Sequence, residues 1–168
     1  GNGPRFAPIV AAALCCRLKQ PDRHKARYGD TTVFVAHSFL GLEIEMHDFP
    51  EIANAILEEY ELPWRGTHGV LHWARVWTNG LKVAEVNGAD QELVKLFALF
   101  HDSRRVNEWT DPDHGERGGD FARELRGTLV HLEDDRFELL YEACRLHTDG
   151  LTEGDPTVQA CWDADRLD

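Results

Sequence analysis

From residue 50 onward the apolar positions recur with a helical period. Pro50 opens a stretch whose apolar residues Ile52, Ile56, Leu57 and Tyr60 share a face, and Pro63 stops it. A second helix is predicted from about His68 to Val86, closed by Gly88. Asp90 is placed to cap a third, Leu93 to Asp102, which is apolar almost all round. On a wheel His101 falls between Phe97, Val94 and Ala98, while Leu96, Leu99 and Phe100 take the opposite side. A helix of that kind is central and buried. A fourth helix covers roughly 115–126, where Gly118 and Gly119 allow close approach to a neighbour. A fifth, at about 134–147, carries Phe137, Leu140, Tyr141 and Cys144. The sixth starts with Asp155 as cap and Pro156 at its first position, and runs into the end of the chain. Strand signals are scarce after residue 46, so the predicted architecture is all-α.

The first 45 residues read differently. They mix a short apolar run, APIVAAALCC, a polar stretch, PDRHKARYGD, and a strand-like TTVFVAHSFLGLEIE. They hold six basic and four acidic residues, against twelve and twenty-six in 46–168, and the single methionine, Met46, stands at the change. The division predicted is an irregular N-terminal extension, native or added, over 1–45 and the main domain over 46–168.

Composition narrows the function. At 168 residues and 42% hydrophobic content the chain has room for one domain with a core able to enclose a site. A formal charge of −12 repels phosphate backbones and argues against coating DNA or RNA. A small anionic substrate stays possible where a metal reverses the local sign. No apolar run approaches the ~20 residues of a membrane span, and the N-terminal run lacks a strongly basic flank and a cleavage site, so the expected location is cytoplasmic. Cys15, Cys16, Cys144 and Cys161 form no metal-type repeat and read as reduced thiols, the last two in the core. Five tryptophans would allow a homodimer, though core packing accounts for them equally.

The chemistry sits at helix ends. An imidazole and a carboxylate closing a buried helix, as His101 and Asp102 do, lose several kcal/mol of hydration unless each finds a partner. A hydrogen bond between them would serve, and so would a divalent cation bound by both. His72 lies at one margin of an apolar arc formed by Val70, Trp73, Val76, Trp77, Val83 and Ala84, and can face inward. His68 shares roughly that face but drifts toward Arg75 and Lys82, at a pocket rim. Near the C-terminus Asp163 and Asp165 diverge on the helix, and Asp165 falls within the stripe of Val158, Cys161 and Trp162. A ligand role or a buried salt bridge explains such a position. His114 stands just ahead of one helix and His147 at the end of another, and their company gives them weight. His24, His37, His47 and His131 have none and read as ordinary residues.

The order His72, His101-Asp102, His114, His147, Asp165, with a first interval of 29 residues, resembles the HD-domain superfamily of metal-dependent phosphohydrolases. The pieces that carry the resemblance are HWARV, LFALFHDSRR and DADRLD, and it spans about residues 66–168. It implies an HD-domain-like helical bundle in which His72, His101, Asp102 and Asp165 bind a first metal, with His114 and His147 added where two are bound. Asp102, having two oxygens, would be the bridge. The cofactor implied is one or two divalent ions among Fe, Mn, Zn, Co, Ni and Mg, and mixed nitrogen and oxygen ligands favour a transition metal. Water on such an ion becomes a nucleophile near neutral pH. The activity implied is cleavage of a phosphoester in a nucleotide or other small phosphorylated metabolite. Asp102, His114 and Arg105 are the catalytic candidates, and His68, Arg104 and Arg105 the substrate-binding ones; the two arginines either grip a phosphate or pair with the acid-rich segment 108–116. Asp113 and Glu116 are either proton carriers or solvated loop charges. His147-Thr148 stands where signalling-nucleotide members often have paired histidines, and their Gly-Tyr-Pro signature is missing, which argues against a cyclic dinucleotide substrate. A di-iron oxygenase on the same scaffold, or a non-catalytic ligand-binding regulatory domain, are the alternatives.

Overall fold

The apolar helix read from Leu93 onward is the axis around which the rest is packed. The computed structural model describes residues 47–168; the three N-terminal segments, with Cys15, Cys16, His24 and His37, lie outside the described residues. Six helices follow in order: α1 Phe49–Glu59, α2 Val70–Asn87, α3 Gln91–Phe100, α4 His114–Glu124, α5 Asp134–Leu146 and α6 Pro156–Arg166. Among the described residues there is no strand, only an isolated bridge between Arg126 and Val130, and the fold is all-α. No helix among them is long and apolar enough to cross a membrane.

Helix α3 touches all five others. This is why it is apolar on every side: Leu93, Val94 and the run Leu96 to Phe100 are all buried. Its start is tied down by polar groups. The Asp90 side chain accepts from the backbone N–H of Glu92 (3.0 Å) and Leu93 (3.2 Å), and its other oxygen takes a bond from Arg136 Nε at 2.8 Å. Helix α1 is capped in the same way by Asp48, and α6 by Asp155 with Pro156 behind it. Gly88 ends α2 at φ 76°, and its N–H closes on Ala84 O. The second helix starts at Val70, so His68 precedes it, in a turn capped by Gly69.

Two further contacts set the positions of the helix ends. Helix α4 lies so close to the end of α3 that a Cβ on Gly118 would stand 2.2 Å from the Phe100 carbonyl oxygen. A Cβ on Gly115 would meet Cys144 O at 2.1 Å and His147 Nδ1 at 2.8 Å. These glycines bring His114, the first residue of α4, up to His147 at the end of α5 and to the turn after α3. His47, read as an ordinary residue, is a buried structural one: its Nδ1 bonds Glu92 at 2.7 Å and its Nε2 accepts from His131 N at 2.9 Å.

Gly118→Ala should destabilise the fold by about 1–3 kcal/mol, because overpacking against a fixed carbonyl outweighs the gain of ~1 kcal/mol in helix propensity. Urea denaturation of the two proteins measures it, and an unchanged or raised midpoint would contradict the packing described.

Candidate metal centre

Four histidines reach one point from four different helices because each stands at or near a helix end. His72 is in the first turn of α2, His101 caps the C-terminus of α3, His114 opens α4 and His147 caps α5. Asp102 follows His101 in the turn, and Asp165 lies in the last turn of α6. All four imidazoles and Asp102 are buried.

Their ligand atoms form two groups that share Asp102, each within 4.8 Å across. In the first, His72 Nε2 and His101 Nε2 are 3.0 Å apart, and Asp102 Oδ2 lies 3.5 Å from His72 and 3.7 Å from His101. Asp165 Oδ1 completes this side, 3.3 Å from His72 Nε2 and 3.7 Å from His101 Nε2. In the second, His114 Nε2 and His147 Nε2 are 3.0 Å apart, and Asp102 Oδ1 stands 3.1 Å and 3.6 Å from them. The two oxygens of one carboxylate thus face two separate pairs of imidazoles.

The outer nitrogens decide what the inner ones can do. His101 Nδ1 donates to Phe97 O (3.1 Å), His114 Nδ1 to Asp111 O (2.6 Å) and His147 Nδ1 to Cys144 O (2.7 Å). His72 Nδ1 donates to Asp168 Oδ2 at 2.7 Å, and Asp168 is itself held by Arg75. A carbonyl or carboxylate oxygen only accepts, so each Nδ1 carries the proton and each neutral ring offers its Nε2 lone pair inward. Neutral rings would therefore set lone pair against lone pair at 3.0 Å, twice. A shared cation removes that conflict, and imidazole with carboxylate is a donor set suited to a divalent transition metal. The residues fit a metal ion.

The surrounding carboxylates also favour proton binding by two of the rings. Burial alone would lower His72 and His147, but hydrogen bonds donated by the first to Asp165 and Asp168, and by the second to Asp102, hold both above the ordinary imidazole value. Complete burial pushes His101 down to about 4, so it stays neutral. Burial opposes the charge of Asp102, yet His101, His114 and His147 hold its carboxyl well below the usual range. Asp165 is lowered too, its desolvation outweighed by His72 and the neighbouring rings.

Around this centre the remaining candidates take distinct places. Arg105 is buried, its Nη1 3.3 Å from Asp102 Oδ1 and 3.0 Å from His114 Nε2. Arg104 turns the other way, ion-paired with Glu59 and stacked 3.7 Å over the Phe121 ring. His68 sits edge-on to His72, ring centres 6.0 Å apart, and is held by Glu108 Oε2 at 2.9 Å. Asp163 is exposed and Asp113 sits at φ 62° ahead of α4. Sequence reasoning missed Asp168 and Glu108. The signal for Asp168 was available: it follows Asp165 by three residues, and a ligating histidine needs an acceptor for its second nitrogen.

Comparison with known proteins agrees with this fold. A predicted HD superfamily hydrolase from an uncultured Thermotogales bacterium, whose crystal structure is known at 1.45 Å, superposes with a TM-score of 0.58 at 28% identity over 70% of this chain. The chain's fold and its buried His/Asp cluster support the resemblance to the HD superfamily. The chain spans 66% of that relative, just under two thirds of its length. No family model matches the sequence, and no curated protein does.

With this donor set the chain should bind a divalent ion through these side chains, and Asp102→Ala should abolish metal retention, read by elemental analysis after dialysis. Asp168→Asn, which touches only the far side of His72, should weaken binding by about 10–100-fold; an unchanged affinity would contradict the role given to that contact. Protons and metal compete for Nε2. Because His72 and His147 hold protons above the ordinary value of 6.5, apparent affinity should rise with pH through 6.5 and beyond, then level off. A calorimetric titration that is flat between about pH 6 and 8 would contradict this.

Proposed function

We propose that the protein is a metal-dependent phosphohydrolase that cleaves a phosphoester in a nucleotide or another small phosphorylated metabolite. The observation that carries this reading is the convergence of four imidazole Nε2 atoms and two carboxylates at helix ends, in a fold shared with a predicted hydrolase. A divalent cation held by His72, His101, Asp102 and Asp165 would supply a water of lowered pKa and neutralise charge on phosphoryl oxygens.

The protein's own groups supply the rest. Asp102 presents ionised oxygens to both imidazole pairs, and Asp168 keeps His72 in the tautomer whose Nε2 faces inward. Arg105 and His114 stand beside Asp102 Oδ1, where a fixed positive charge stabilises negative charge building on a substrate. His68, oriented by Glu108, is the group at the rim suited to hold a phosphate oxygen. Arg104 would join it only after leaving Glu59. Val106 and Trp109 are largely exposed on the segment whose Trp109 carbonyl accepts from Arg105 Nη2 at 2.7 Å, which gives a base or other flat moiety an apolar surface near the centre.

The protein treated with chelator should be inactive, and Mn, Co or Ni should restore phosphate release from a panel of nucleotides and small phosphoesters under argon. His68→Ala should raise KM about tenfold, roughly 1.4 kcal/mol, with a smaller effect on kcat. Absence of phosphate release with every metal would overturn the reading. Iron-dependent oxygen consumption in its place would mark an oxygenase.

A further inference from the structure

The second ligand group differs from the first in having a permanent cation built against it. Arg105 Nη1 lies 3.0 Å from His114 Nε2 and 3.3 Å from Asp102 Oδ1, two of the three ligand atoms of that group. His114 Nδ1 already donates to Asp111 O, so its Nε2 carries a lone pair, and the guanidinium N–H donates into it. A second metal ion would need the same two lone pairs.

The guanidinium is fastened where it stands. Its Nε donates to Asn107 O at 3.3 Å and its Nη2 to Trp109 O at 2.7 Å, so all three nitrogens are engaged. The segment that holds it is closed in turn, Val106 N–H donating to Asp111 Oδ2 at 2.8 Å and Trp109 N–H to Asn107 Oδ1 at 2.8 Å. Arg117 pins Asp111 from the other side at 2.6 Å. Arginine does not lose its proton in proteins, so this charge is fixed and repels a divalent ion placed against it. Around the first group, by contrast, Arg75 bonds Asp168 behind His72 and leaves the ligand atoms open.

We propose that Arg105 takes the place of a second metal ion, so that the protein binds one divalent cation, through His72, His101, Asp102 and Asp165. The guanidinium then supplies the positive charge that a second ion would bring to Asp102 Oδ1, and His114 serves as its hydrogen-bond acceptor. The inference rests on the metal centre and not on the phosphohydrolase reading, and it is tested without turnover.

The test counts Mn(II) per chain by equilibrium dialysis and elemental analysis in the full-length wild type and in Arg105→Gln, with low-temperature electron paramagnetic resonance of each. Glutamine keeps N–H groups for the loop carbonyls and removes the charge. The expected result is one ion with an uncoupled spectrum in the wild type, and two ions with a spin-coupled spectrum in the variant. Two ions of similar affinity in the wild type would overturn the proposal, as would a folded, saturated variant that still holds one. Should the variant fail to fold, the wild-type count and spectrum decide alone: one uncoupled ion supports the proposal and a coupled pair ends it. A wild type that binds none would overturn the metal centre as well.

Discussion

Asp102 is the residue on which the rest of the site depends. It is a buried carboxylate kept ionised in a place where burial alone would neutralise it, because imidazoles close on both of its oxygens. Such a charge is tolerated only when paired and hydrogen-bonded. The four histidines are each aimed at the centre by the acceptor behind them, three times a helix carbonyl or loop carbonyl and once a carboxylate. Three backbone carbonyls and one carboxylate thereby fix four tautomers, and the donor set is assembled by the fold itself.

That assembly needs the helix ends to meet, and the packing provides for it. A ten-residue helix apolar on all sides can only sit in the middle, and its C-terminus then delivers His101 and Asp102 to the interior. Gly115 and Gly118 let α4 come within contact of α5 and of the turn after α3, which is what brings His114 to Asp102. Bulk at either position would push the ligands apart, at Gly115 by meeting His147 itself. Stability and metal binding are coupled in this protein through those close approaches.

Much of this was legible in the chain. Caps at Asp90 and Asp155, the stop at Gly88 and the all-round apolar face of Leu93 to Phe100 announce themselves through residue type and period, and the structure has them where expected. The metal candidates His72, His101, Asp102 and Asp165 stood out because a polar group in an apolar stripe is costly, and the structure brings them together. His114 and His147 had no such local mark, since a histidine at a helix end is ordinary; only their joint order pointed to them. Arg105 and Arg104 were indistinguishable as neighbours in sequence. What separates them is the conformation of the loop 103–113, which turns one guanidinium inward against His114 and the other outward to Glu59. Glu108 belongs to the same loop and was hidden for the same reason.

The central claim, that a cation joins these distant imidazoles and acids, is tested most directly by anomalous diffraction from crystals of the protein grown with Mn(II) or Zn(II), recorded at the metal's absorption edge. The account predicts a peak bonded to His72 Nε2, His101 Nε2, Asp102 and Asp165. Fully occupied metal elsewhere on the molecule, with these four side chains hydrogen-bonded only to one another, would contradict it.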